Sequence, residues 1–127
     1  MIRNDIYCLY KGKEYRFVHK ANGTYEIVTK NKSNIDESFD FYQNEIYRKQ
    51  VELDEIEDIY SINSFAVYKG EIFAVRPTVG SDVELYTSNM ELATGNKMNQ
   101  IGKSEFMKVV SISQVEVFEE KKQLNLK

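Results

Sequence analysis

The feature that most constrains the fold of this chain is an internal repeat. Shifted by 58 positions, residues 7–31 lie over residues 65–89 without a gap, and Tyr10-Lys11-Gly12 falls on Tyr68-Lys69-Gly70. One extra residue in the second copy moves the offset to 59, where residues 47–59 match residues 106–118. The same order of apolar, turn and polar positions over nearly a whole unit indicates a duplication. We therefore predict tandem copies at residues 1–62 and 63–121, followed by a C-terminal tail at residues 122–127.

Each copy has the pattern of short β-strands. Apolar residues alternate with polar ones at a period of two in residues 7–9, 15–17 and 25–27, and Lys11-Gly12 separates the first two strands. Glycine at that point supplies the positive φ that a tight hairpin needs. Asp54-Glu55-Ile56 predicts a single tight turn before a short closing strand. An α-helix through residues 53–60 is the alternative, because the apolar residues there also have helical spacing.

Five short strands with one 3₁₀-like turn before the last strand resemble an SH3-like barrel, and the resemblance covers both copies. The Tyr10-Lys11-Gly12 turn and the closing segment from Val51 to Ile56 are similar to those of small bacterial SH3-like proteins of the toxin-immunity type. This resemblance implies an all-β fold of two tandem five-stranded barrels. We expect the barrels to pack about a pseudo-twofold axis and each isolated half to be marginally stable.

The residue content restricts the compartment and the chemistry. Cys8 is the only cysteine, so an intramolecular disulfide is excluded, and its apolar neighbours predict a buried thiol. No run approaches the roughly 18–20 apolar residues that span a bilayer, and the start has no apolar signal region. We therefore expect a cytoplasmic protein that does not bind membranes, and the abundance of Lys, Asn, Ile, Glu and Tyr suggests a bacterial source.

Catalytic and metal-binding patterns are missing from the sequence. The glycines are scattered, and one histidine with one cysteine cannot build a zinc site. The acids of residues 52–58 lack the spacing of a calcium loop. His19, the only histidine, falls on Pro77 in the second copy, and we expect it to be a surface residue without a catalytic role. We predict that the protein is not an enzyme and that it uses neither a metal ion nor a cofactor.

Charge is distributed unevenly along the chain. Residues 1–32 hold seven basic and three acidic residues, residues 33–62 hold two basic and nine acidic ones, and residues 63–127 hold eight of each. The acids Glu52, Asp54 and Glu55 lie opposite Ser111, Ser113 and Gln114 in the second copy. Two interpretations stay open: the acids protect a sheet edge from pairing with other chains, or they form a recognition face for a basic partner.

The sequence favours a non-catalytic protein-binding module, and the resemblance implies an immunity-type protein that neutralises its partner through an acidic face. We expect a monomer or a homodimer with a protein partner. The predicted partner-binding residues are Tyr42, Asp54, Glu55, Glu57 and Asp58.

Two other function classes remain as alternatives. A nucleic-acid-binding SH3-like or OB-like protein would use the basic residues of the first copy, but the adjacent acidic stretch disfavours it. Those basic residues are Lys11, Lys13, Arg16, Lys20, Lys30 and Lys32. A structural component of a phage or secretion assembly is the other alternative. The sequence also leaves open a small ligand between the copies.

Overall fold

The computed structural model describes residues 2–126, and somewhat more than half of these residues lie in β-strands. The strands are β1 (Asp5–Tyr10), β2 (Lys13–His19), β3 (Tyr25–Thr29), β4 (Asp40–Phe41), β5 (Tyr47–Val51), β6 (Asp58–Tyr68), β7 (Glu71–Pro77), β8 (Asp82–Thr87), β9 (Asn99–Gly102), β10 (Glu105–Ser111) and β11 (Glu116–Gln123). The other regular elements of the described residues are one short α-helix, α1 (Met90–Gly95), and three 3₁₀ turns at Lys32–Asn34, Leu53–Glu55 and Ile112–Gln114. The predicted all-β class is confirmed.

The chain divides into two compact units. We call Asp5–Ile62 together with residues 121–126 the first unit, and residues 2–4 together with Asn63–Glu120 the second unit. The long strand β6 belongs to the first unit up to Ile62 and to the second unit from Asn63. Strand β11 reaches Gln123, two residues into the segment assigned to a tail by the sequence analysis.

The first unit is an antiparallel meander with the strand order β4-β5-β3-β2-β1-β6. Alternate positions point inward because successive side chains of a strand face opposite ways. The buried core consists of Cys8, Tyr10, Tyr15, Phe17, Ile27, Val51, Ile56 and Ile59. Leu124, from the C-terminal segment, packs against this core, and its backbone N–H donates to the Ile59 carbonyl at 2.9 Å.

The second unit follows the order β9-β10-β8-β7-β6, and β11 also pairs with β6. Its buried core consists of Ala66, Tyr68, Phe73, Val75, Val83, Leu85 and Val110. The N-terminal residues contribute here: Ile2 packs against the core, and the Arg3 N–H donates to the Ser64 hydroxyl at 2.9 Å.

Corresponding turns of the two units have the same backbone geometry. Lys11 and Gly12 have φ values of 51° and 77°, and Lys69 and Gly70 have 50° and 80°. Two successive residues with positive φ form a type I′ hairpin, whose twist matches that of the flanking strands. The predicted hairpin turns are therefore confirmed.

The closing segment forms the predicted tight turn and not the alternative α-helix. Leu53–Glu55 form a single 3₁₀ turn, and Asp58 already begins β6. The hydrogen-bonded strands form one open antiparallel sheet, so closure of each copy into an SH3-like barrel and packing about a pseudo-twofold axis stay predictions. Among residues 2–126, no helix is long and apolar enough to cross a membrane.

Candidate functional site

The predicted acids cluster around the 3₁₀ turn of the first unit. We call Glu52, Asp54, Glu55, Glu57 and Asp58 the acidic turn. Val51 and Ile56, on either side of the 3₁₀ turn, are buried in the core, which directs the intervening acids outward. Asp54, Glu55 and Glu57 are exposed, and Asp58 is half-buried at the start of β6. The structure therefore brings four of the five predicted site residues together.

Carboxylates of the acidic turn hold the local backbone. Glu55 Oε1 accepts the Glu52 N–H at 2.9 Å and caps the 3₁₀ turn. Glu57 Oε1 accepts the Gly12 N–H at 2.8 Å, which ties the acidic turn to the β1–β2 hairpin. Among the described residues, the Asp54 carboxylate has no hydrogen-bond or ion-pair partner. Asp54 is therefore an exposed acid that is free to meet a partner directly.

A cleft of about 360 Å³ lies beside the acidic turn. Its lining residues are Glu57, Asp58, Ile59, Gln123, Leu124, Asn125 and Leu126. The cleft combines two carboxylates with leucine side chains, and all of its residues belong to the first unit.

Lys49 lies close to the acidic turn and offsets part of its charge. Its Nζ donates to the Tyr10 hydroxyl at 2.8 Å, and this bond, with the Asp36 and Glu55 carboxylates, raises the pKa of Lys49 against the effect of burial. The second unit has a similar pair, in which Lys108 Nζ lies 5.5 Å from the centre of the Tyr68 ring. Tyrosine and lysine thus occupy matching positions in the framework of both units.

The corresponding turn of the second unit is uncharged between Ser111 and Gln114. The Ser111 and Ser113 hydroxyl oxygens lie 2.9 Å apart, and the Gln114 side chain accepts the Ser111 N–H at 3.2 Å. Glutamine here has the capping position that Glu55 has in the first unit. The local fold therefore does not require the negative charge.

Tyr42, the fifth predicted residue, lies apart from the acidic turn. Its half-exposed ring packs under the Arg48 guanidinium at 4.3 Å, and exposed Phe41 makes an edge contact with Tyr47 at 5.5 Å. Strand β5 separates this aromatic patch from the acidic turn by about 13 Å, at roughly 3.3 Å per residue. The sequence does not identify Phe41 or Arg48 as surface contacts. An aromatic residue such as Phe41 in a polar stretch equally indicates packing onto the core.

The basic residues proposed for nucleic-acid binding are partly compensated within the first unit. Arg16 pairs with Asp5 at 3.2 Å, and Lys20 pairs with Glu26 at 3.4 Å. Lys13 Nζ donates to a backbone carbonyl at 3.3 Å. The two ion pairs reduce the free positive charge that a phosphate backbone would meet.

Cys8 and His19 do not have the environment that a catalytic nucleophile and its base need. Cys8 is completely buried, as predicted, and burial, followed by the negative charge of Glu14, raises its pKa to about 12. A thiol with so high a pKa is not the thiolate that nucleophilic chemistry needs. His19 is exposed and stacks on Tyr25 at 4.6 Å. Within residues 2–126, no group of three or more His, Cys, Asp or Glu could hold a metal ion.

Residues 2–127 match the model of the family described as "Uncharacterised conserved protein UCP033725". No curated protein and no solved structure matches the chain.

Proposed function

We propose that this chain, which belongs to the uncharacterised family that its sequence matches, is a non-catalytic protein-binding module that captures a basic partner through the acidic turn. The observation that carries the proposal is the free, exposed Asp54 carboxylate on the same acidic turn as Glu57 and Asp58, which border a cleft. The second unit has Ser113 at the position of Asp54. The corresponding turn of the second unit therefore forms without an acid at this position.

The acidic turn is held in place before a partner arrives. Because Glu55 and Glu57 each accept a backbone N–H, their carboxylates lose little further freedom on binding. A preorganised surface pays a smaller ordering cost, and its charge accelerates the capture of an oppositely charged partner. Lys49 reduces the local charge without cancelling it.

The cleft beside the acidic turn suits a lysine or arginine side chain. Such a side chain packs its apolar stem on apolar surface and keeps its charged end in polar surroundings. Leu124 and Leu126 can contact the stem, while Glu57 and Asp58 can meet the charge. The partner surface that we propose therefore presents at least one long basic side chain.

Tyr42 and Arg48 form a second candidate contact in the same interface. Tyrosine and arginine are enriched among the residues that contribute most to binding. A standard interface buries about 800 Å² on each partner, which is wide enough to include surfaces about 13 Å apart. One partner can therefore cover both Tyr42 and the acidic turn.

The SH3-like architecture and the internal duplication belong to the same proposal. In each unit a four-stranded meander is followed by a 3₁₀ turn and a closing strand. The closing strand β6 pairs with β1, and the closing strand β11 pairs with β6, which supports the SH3-like interpretation. The matching Lys11-Gly12 and Lys69-Gly70 turns support a common origin. We propose a bacterial cytoplasmic immunity-type protein as the biological setting, and an adjacent toxin gene would distinguish it from an assembly component.

Charge reversal at Asp54 tests the acidic turn. The partner is captured from the native cell by crosslinking, identified and purified, and its association rate is measured against ionic strength. Asp54→Lys should lower the association rate about three- to tenfold at low salt, and the difference should shrink as salt screens the charges. Ser113→Lys adds a lysine at the corresponding turn of the second unit and should leave the rate nearly unchanged. Equal rates for Asp54→Lys and the unmodified protein would refute the proposal.

A further inference from the structure

An apolar cleft lies in the second unit. Its volume is about 280 Å³, and its lining is formed by Ile2, Pro77, Thr78, Gly80, Asp82, Val83, Ile112 and Val117. Ile112 is 46% exposed and Val117 is 37% exposed, so apolar surface is open to solvent. We call this the β7–β8 cleft. It is separate from the acidic turn, which belongs to the first unit.

Aromatic side chains fill the corresponding place in the first unit. Tyr25 and His19 are cross-strand partners, and their rings stack at 4.6 Å. Tyr25 also stacks on Phe17 at 5.5 Å and packs against the core. At the matching positions of the second unit, Val83 pairs with Pro77. Two rings are thus replaced by two smaller side chains.

The neighbouring turn also differs in exposure between the two units. Leu53, in the 3₁₀ turn of the first unit, packs against its core. Ile112, at the corresponding position of the second unit, is about half exposed. The β7–β8 cleft is therefore a place where the framework accommodates aromatic rings and the second unit supplies none of its own.

The size and charge of the cleft indicate what would occupy it. Its volume lies just below the roughly 300–1,000 Å³ of pockets for drug-sized ligands, which fits a single side chain better than a whole ligand. Asp82 lines the cleft and is exposed, and its side-chain carboxylate has no hydrogen-bond or ion-pair partner among the described residues. An occupant with a positive charge beside its apolar part would complement this carboxylate.

We propose that the β7–β8 cleft receives an aromatic side chain of a separate polypeptide, with a neighbouring lysine or arginine of that polypeptide beside Asp82. The aromatic ring supplies the apolar contact that Tyr25 makes in the first unit, and aromatic rings contribute strongly to interfaces. This inference goes beyond the proposed function, because it concerns a different surface on the other unit. It stands or fails independently of Asp54.

The test uses ¹H–¹⁵N NMR titration of the full chain with short blocked peptides. The probe is acetyl-Gly-Lys-Tyr-Lys-Gly-amide, and the comparison peptides replace its tyrosine by alanine or both lysines by glutamate. The probe should shift the amide signals of Thr78, Gly80, Asp82 and Ile112, and each comparison peptide should bind at least fivefold more weakly. Equal binding of the alanine peptide, or no shifts at these amides, would overturn the proposal.

Variants of the lining provide the second half of the test. Ile112→Glu should weaken probe binding at least tenfold, and Asp82→Asn about threefold. Val79→Glu is the matched control: Val79 is 95% exposed, neighbours the cleft in sequence and does not line it, so binding should be retained. Unchanged binding by Ile112→Glu would refute the site, provided that the amide spectrum shows a folded variant.

Two further measurements exclude other occupants. Tyramine carries the same ring and a positive charge without a polypeptide, and it should bind more weakly than the probe peptide. Tyramine binding as tight as that of the peptide would replace the proposal with a small-amine site. Dilution of the free protein should leave the four amide signals in place, and shifts on dilution would assign the cleft to a second copy of the chain.

Discussion

Replacing Leu124 with alanine should destabilise the first unit, although Leu124 lies about sixty residues beyond Ile62, where the main segment of that unit ends. Its backbone N–H donates to the Ile59 carbonyl, and its side chain packs against the core that contains Cys8 and Ile59. Leu126, two residues further on, is 46% exposed and serves as the matched control. Both substitutions remove the same atoms from the same segment.

The expected magnitude follows from the burial of the side chain. Leucine to alanine removes three carbon atoms, each worth about 0.8 kcal/mol when fully buried. Because Leu124 is partly buried, about half of that sum applies, which gives about 1.2 kcal/mol. The backbone hydrogen bond to Ile59 is retained. Leu126→Ala should cost less than about 0.5 kcal/mol, as surface substitutions usually do.

Labelling of Cys8 by a thiol reagent measures this effect within the first unit. Cys8 is the only cysteine, it is completely buried, and its pKa is about 12. At pH 8 the reagent therefore reacts through transient opening of the unit, and the labelling rate reports the free energy of that opening. A change of about 1.2 kcal/mol should accelerate labelling about eightfold, since about 1.36 kcal/mol corresponds to tenfold.

A similar labelling rate for Leu124→Ala and Leu126→Ala would refute the reasoning. It would mean that the packing of Leu124 on the core adds no stability to the opening that exposes Cys8. The comparison requires that the unit closes faster than the reagent labels Cys8. Under that condition the labelling rate is proportional to the reagent concentration. A rate that is independent of reagent concentration reports opening kinetics instead, and the comparison is then made at a lower concentration.

Two further predictions concern the backbone and the pH dependence of stability. Gly12→Ala should lower the free energy of unfolding by about 1 kcal/mol, because φ is +77° at that position. Gly95→Ala has open space and an ordinary φ, so it should be neutral or stabilising by up to about 1 kcal/mol. Urea denaturation of both variants measures the difference, and equal effects would contradict the prediction. The hydrogen bond from Arg3 holds the pKa of Glu119 below its usual range, so this contribution to stability is present above the ordinary glutamate pKa of about 4.3 and is lost as the pH falls through the lower folded value. Arg3→Gln should return the Glu119 pKa to its usual range in a ¹³C NMR titration, and an unchanged pKa would count against the assignment.

Much of the local fold could be predicted because it depends on neighbouring residues. The Lys11-Gly12 hairpin follows from the need for positive φ, and the strands follow from alternation with a period of two. The contribution of each chain end to a unit could not be predicted. Ile2 and Leu124 are single apolar residues in polar surroundings, and nothing in their spacing indicates which distant core they contact.

The candidate site could be predicted in position but not in detail. The acids all lie within residues 52–58, so their proximity needed no tertiary information. Their separate roles depend on the fold: Glu57 accepts a hydrogen bond from Gly12, which is 45 positions away in the chain. Tyr42 was grouped with the acids, but it lies at the far end of β5, because the extended strand separates residues that are close in sequence.

The shared and the differing positions of the two units have different physical roles. Tyr10 and Tyr68 are buried beside lysines, so their substitution should disturb the folding of either unit. Asp54 and Asp82 are exposed and hold no other described residue in place, so their substitution should change binding with little effect on stability. In the first unit the difference adds charge at a turn, and in the second it removes aromatic rings from a cleft. Variants at Asp54 and Asp82 can therefore separate two binding surfaces on one chain without confounding either result by unfolding.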